Sequence, residues 1–140
     1  MRQIAIFNNK GGAGKSTFTV FLADFFSSLH FKASKRAVRV LVIDADAQGS
    51  AGISLVGRDR VARAVREHRT LADLLQSEQP PLDEFLLRRP EVETETRRVK
   101  LAPVDVIPTD LASTESLEGL DGPLVLNAIA KRLPKLLKDR

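Results

Sequence analysis

Ten residues constrain this chain more than any others: Asn8-Asn9-Lys10-Gly11-Gly12-Ala13-Gly14-Lys15-Ser16-Thr17. They follow a short apolar run, Ile4-Ala5-Ile6-Phe7, and lead into a segment with helical apolar spacing. Strand, glycine-rich loop and helix in that order form the setting in which a backbone wraps around phosphate. The glycines let successive N–H groups turn inward and form a concave anion nest. A helix starting near Lys15 adds its leading N–H groups and the positive end of its dipole. Lys15 supplies a mobile positive charge for β- and γ-phosphates, and the Ser16 hydroxyl can ligate Mg²⁺. A turn that only joined a strand to a helix would not need Gly-Lys-Ser at this place.

The rest of the first half supports an α/β chain with a parallel sheet. Ile4–Phe7 reads as a buried strand. Phe18, Phe21, Leu22, Phe25, Phe26 and Leu29 recur at helical spacing, so residues 15–29 read as a helix whose phenylalanines enter the core. His30 is a lone histidine near the helix end, where a structural or dipole role outweighs catalysis. Residues 30–37 form a polar connection, and Val38-Arg39-Val40-Leu41-Val42-Ile43 is the near-continuous aliphatic run of a strand buried on both faces. Strand, helix and strand make one right-handed βαβ unit. Ligands bind beyond the carboxyl ends of such strands, where Asp44-Ala45-Asp46-Ala47-Gln48-Gly49-Ser50 emerges. Carboxylates there can orient water around Mg²⁺ or position an attacking water; capping or turning the chain is the plainer role for the same residues.

The middle of the chain commits to less chemistry. Arg58, Arg60, Arg63, Arg66 and Arg69 are spaced to line a helix face. Without interleaved aromatics that face reads as solvated before it reads as a nucleic-acid surface. Thr70-Leu71-Ala72-Asp73 has the form of a helix start, with Leu71, Leu74 and Leu75 facing inward and Pro80-Pro81 closing the segment. Leu82–Leu87 reads as another helical turn, and 91–98 as an edge strand or an exposed loop. Val104-Asp105-Val106-Ile107-Pro108 reads as a further core strand, and Thr109 or Asp110 as the cap of a short helix that breaks near Gly119. Pro123 suits a first helical position. Leu126, Ile129, Leu133 and Leu136 then give a last amphipathic helix, kinked at Pro134 and basic at its end.

Composition excludes some chemistry. The sequence contains no cysteine, which removes disulfides, thiolate nucleophiles and cysteine-held clusters and fits a reducing cytoplasm. Four apolar residues after Arg2 are too few for a signal-peptide core, and no run approaches a membrane span of about 20 residues, so no membrane role is expected. A net charge of +4 reads as a mildly basic solvated surface.

Three separated features resemble the ParA/MinD superfamily of deviant phosphate-loop ATPases, and most closely its ParA-type partition members. They are Asn8 with Lys10–Thr17, the strand leading into Asp44-x-Asp46-x-Gln48-Gly49, and Val104–Pro108 followed by Thr109. The loop has Asn9 where the common phosphate loop has glycine, and carries the extra Lys10. Ala47 stands where the ParA group usually has proline.

The resemblance implies a phosphate-loop α/β fold, a parallel sheet flanked by helices, and ATP with Mg²⁺ as ligands. It implies that Lys10 reaches across a nucleotide-sandwich dimer to the partner's ATP. Gly11, Gly12, Ala13, Gly14 and Lys15 would cradle phosphate, Ser16 would hold Mg²⁺ and Thr17 would support the α-phosphate. Lys10, Lys15 and Asp44 are thus the expected catalytic residues, with Asp44 positioning or activating water, and Asp46 receives no separate catalytic role. Expected partners are a second copy or a complete relative, a partition partner protein, and non-specific DNA, although the family's usual DNA-binding region is not expected here. Residues 1–140 are expected to be one incomplete domain, an N-terminal portion cut before the strand bearing the family's magnesium-linked aspartate. The implied activity is ATP hydrolysis in plasmid or chromosome partitioning. The alternative is a nucleotide-binding module that pairs with a complete relative and hydrolyses little or no ATP.

Overall fold

The computed structural model describes residues 4–6, 12, 14–30, 37–77, 81–93 and 100–109. A three-stranded mixed sheet forms its centre. Strand β1 (Val40–Ile43) pairs in parallel with β5 (Val104–Ile107), and β2 (Leu87–Arg89) pairs antiparallel on the other side of β5. A separate two-stranded ladder joins β3 (Val92–Glu93) to β4 (Lys100–Leu101), so the segment around 91–98 begins as a strand.

Alternation along the strands sends side chains to two cores. Val42, Val104, Val106 and Leu87 meet Ala23 of α1 (Lys15–Ser27), Leu55 and Val56 of α2 (Ser50–Val56), and Val61 and Ala64 of α3 (Arg58–Arg66). On the other face Ile107, with Leu41 and Ile43 alongside, meets Leu71 and Leu74 of α4 (Leu71–Gln76) and Leu82 and Phe85 of α5 (Leu82–Phe85). Val104, Val106 and Ile107 are wholly buried, which makes β5 the spine of the sheet. Each such side chain contributes about 1.5–3 kcal/mol by leaving water.

Local chemistry accounts for the ends of α4. Asp73 N–H donates to Thr70 Oγ1, and Thr70 N–H donates back to Asp73 Oδ2, a complete capping box. Leu71 N–H also donates to the Pro108 carbonyl at 2.8 Å, which ties α4 to the end of β5. At the opposite edge of the sheet, Arg89 of β2 forms an ion pair with Asp24 near the end of α1, and its guanidinium also reaches Ser27. Helix α1 therefore runs antiparallel to β1, with its start at the carboxyl edge of the strands.

Three expectations need correction, and one helix is new. Ile4–Ile6 lie outside the sheet, with Ile4 61% exposed. A strand needs a neighbour to satisfy its backbone groups, and among the described residues none pairs with this segment. The second correction concerns α1, which exists but is turned the other way. Phe18, Phe21, Phe25 and Leu29 are exposed, whereas Ala23 and Ser27 are buried. The helix approaches the sheet through its small residues, which permit close packing, and not through its aromatic stripe. Third, Leu87 opens β2 and does not extend α5, because its backbone joins the ladder opposite Val106. The sheet is consequently mixed. Finally, α2 had no counterpart in the sequence reading. The helices expected after residue 109 lie outside the described residues.

Candidate functional site

Two of the loop glycines have the backbone that only glycine adopts without strain. Gly12 has φ 70° and Gly14 has φ 78°, and a Cβ added at either would meet nothing within 4 Å. The left-handed turn at Gly14 is the N-cap of α1, with no side chain capping it. The helical ladder begins with Phe18 N–H donating to the Gly14 carbonyl, so the amides of Lys15, Ser16 and Thr17 precede it at the positive end of a 13-residue helix. This arrangement fits a phosphate group: an open approach, leading amides, and a lysine beside them. Ser16 lies in the same first turn, where its hydroxyl would be available to Mg²⁺. Lys10, Gly11 and Ala13 lie outside the described residues.

The second half of the site comes from the carboxyl end of β1. Asp44 N–H donates to the Ile107 carbonyl at 3.1 Å, continuing the parallel ladder one residue beyond the strand. The Asp44 side chain is buried at 5% exposure. Its Oδ2 accepts the Gly52 N–H at 2.8 Å, and its Oδ1 accepts the Asp46 N–H at 3.2 Å. Burial raises its pKa above the ordinary 3.8, and the backbone donors from Gly52 and Asp46 partly counter that rise. Asp44 thus clamps the start of α2 to the end of β1.

Asp46 belongs to the turn that follows. Its carbonyl accepts the Gly49 N–H at 2.8 Å and its Oδ1 accepts the Gln48 N–H at 3.0 Å. Its Oδ2 lies 3.9 Å from Lys15 Nζ. The glycine loop and the Asp-x-Asp segment, 29 residues apart from Lys15 to Asp44 in sequence, therefore meet at one edge of the sheet. Gly49 closes the turn at φ 58°, with the Thr109 carbonyl 2.8 Å from where its Cβ would stand. Thr109, which follows β5, is itself buried.

Sequence reasoning thus placed Lys15 and Asp44 at one edge, but did not foresee the Lys15–Asp46 contact. Nor did it foresee Gly52 as the partner of Asp44. That bond spans 8 residues through a turn, and no local pattern announces it.

A glycine-opened helix leading to a parallel strand pair, with carboxylates at the strands' carboxyl edge, defines a phosphate-loop α/β fold. A family model described as an AAA domain matches residues 1–128. The chain is 33% identical to the chromosome-partitioning ATPase Soj of Thermus thermophilus, over 93% of this chain and 51% of that protein. It is 35% identical to the chromosome partitioning protein ParA of Caulobacter vibrioides, over 79% of this chain and 33% of the relative. The solved structure of pNOB8 ParA bound to nonspecific DNA superposes with a TM-score of 0.54 at 26% identity, covering 89% of this chain and 39% of the other. The chain belongs to this AAA-domain family, among the ParA/MinD-type partition ATPases. It spans about half the length of the Thermus protein and a third of the Caulobacter one.

Proposed function

We propose that the chain binds Mg-ATP in the loop Lys10–Thr17 and is built to hydrolyse it to ADP and phosphate in a partition system. The observation that carries this reading is the 3.9 Å approach of Lys15, in the first turn of the helix that Gly14 opens, to the Asp46 carboxylate just beyond the end of β1. In the proposed complex the loop amides and Lys15 bind the phosphates and bring positive charge to where negative charge builds up during transfer. Ser16 would hold Mg²⁺, whose chemistry is to neutralise charge on the phosphate oxygens. Thr17, one residue further along the first turn, would support the α-phosphate. Lys10 would act across a nucleotide-dependent dimer, on the partner's ATP.

Asp44 would position the attacking water and take up its proton. Its raised pKa suits that task better than an ordinary aspartate, because a base works best when its pKa approaches the working pH. Each of its oxygens already accepts one backbone N–H, and a carboxylate oxygen has a second lone pair for water. The proposed setting is a partition system in the cytoplasm with a partition partner protein, in keeping with the chromosome-partitioning names of the relatives; non-specific DNA, to which pNOB8 ParA is bound, is a further proposed ligand.

Phosphate release from residues 1–140 with Mg-ATP tests the reading. Turnover that disappears in Lys15→Ala and in Asp44→Asn supports it. Saturable ATP binding without turnover would leave a nucleotide-binding module in place of an ATPase. Absence of both overturns the assignment. For Lys10, nucleotide-dependent dimerisation is the readout, and a Lys10→Ala chain that dimerises and hydrolyses like the parent would refute its role.

A further inference from the structure

Asp46 is fixed more firmly than a simple turn requires. Its Oδ1 accepts the Gln48 N–H, its carbonyl accepts the Gly49 N–H, and its own N–H donates to Asp44 Oδ1. Those bonds set the turn and leave Oδ2 directed at Lys15, 3.9 Å from Nζ. An asparagine would make the same turn through its one oxygen. The turn bonds do not need the negative charge, whereas the approach to the lysine uses it. Lys15 and Asp46 are both partly shielded, with side chains 25% and 35% exposed, so the attraction is only partly screened by water.

We propose that Asp46 is the counter-ion of Lys15 in the nucleotide-free protein, standing in for phosphate and yielding the lysine when nucleotide enters. The proposal rests on the phosphate-loop reading above and adds a determinant of nucleotide affinity to it. A phosphate oxygen and the Asp46 carboxylate compete for one ammonium group, so each nucleotide bound must first displace Asp46. Asp46 is then a positioning residue that makes the loop selective for ligands with strong, closely spaced negative charge.

Titration of ADP into five chains tests it: the parent, Asp46→Asn, Asp46→Glu, Lys15→Gln, and the variant combining Asp46→Asn with Lys15→Gln. Loss of an ion pair of this exposure corresponds to about a two- to fivefold change in affinity. Asp46→Asn is therefore expected to bind ADP about two- to fivefold more tightly than the parent. In the Lys15→Gln background the same change is expected to have no effect. Asp46→Glu, which keeps the charge, is expected to bind like the parent. Equal or weaker binding by Asp46→Asn overturns the proposal while leaving the nucleotide reading intact. A gain that persists in full with Gln at position 15 also overturns it, because simple repulsion between Asp46 and phosphate would then suffice. Failure of the parent chain to bind ADP at all would remove both readings together.

Discussion

Asp44→Ala removes the acceptor that joins β1 to α2, and its cost follows from the two bonds it breaks. The Gly52 N–H is buried and loses a 2.8 Å partner. Leaving a buried donor unsatisfied costs about 1–3 kcal/mol. The Asp46 N–H loses a longer contact of 3.2 Å on a half-buried residue, where water replaces most of it. In the other direction, the substitution removes a carboxylate whose ionised form burial already disfavours. The balance is a destabilisation of about 1–3 kcal/mol, or roughly 3–10 °C in melting temperature for a chain of this size. Asp44→Asn, which keeps one acceptor oxygen for Gly52, falls between the parent and alanine. Thermal and urea unfolding of the nucleotide-free proteins, followed by circular dichroism, provides the measurement. An Asp44→Ala chain as stable as the parent would show that the carboxylate does not organise this loop. The result also bears on catalysis: lost turnover in Asp44→Ala reports on chemistry only once this structural cost has been subtracted.

The pH dependence of stability should have an unusual sign at Asp44. Its folded-state pKa lies above the ordinary 3.8, so the native state takes up a proton before the unfolded chain does. The cost of the ionised carboxylate is fully present above the folded-state pKa and fades as pH falls toward the unfolded value. The melting temperature of the parent relative to Asp44→Asn should therefore rise as pH is lowered from 7 toward 4; a fall would contradict the burial account. Gly49→Ala places a methyl group 2.8 Å from the Thr109 carbonyl at a left-handed position, and should cost about 2–4 kcal/mol in denaturant unfolding. A loss below about 0.5 kcal/mol would mean that the turn relaxes freely. Thr70→Ala breaks the capping box of α4 and should cost about 0.5–2 kcal/mol, with an unchanged midpoint excluding the box as a stabilising device.

The parts of the fold that could be read in the sequence are those whose cause is local. An aliphatic run makes β1, Val104, Val106 and Ile107 make β5, and Thr70 with Asp73 announces the start of α4 because the cap lies within one turn. The left-handed turns at Gly12 and Gly14 are likewise local, because glycine takes that backbone without strain. Strand β2 was hidden because two of its three residues are arginines. Their partners, Asp105 and Asp24, lie 17 and 65 residues away. The phenylalanine stripe on α1 misled for a related reason. Periodicity shows that a helix has an apolar face, but only tertiary packing shows which face is covered, and here Ala23 and Ser27 give the closer approach. Ile4-Ala5-Ile6 has the composition of a strand, yet composition cannot provide a pairing partner, and among the described residues none pairs with it. At the site, the residue types at Lys15, Ser16 and Asp44 suggested chemistry directly. The contact between Lys15 and Asp46 depends on the sheet bringing two distant segments to one edge.

Residues 10–17 are proposed to hold nucleotide phosphate, and the stability of the chain with and without Mg-ATP reads that binding without intermediary steps. A ligand that binds only the folded state at a hundred times its dissociation constant adds about 2.7 kcal/mol of stability. The melting temperature should therefore rise by several degrees with saturating Mg-ATP, less with AMP, and not at all in Lys15→Ala. A chain whose melting temperature does not move with millimolar ATP, or moves equally in Lys15→Ala, would contradict the account.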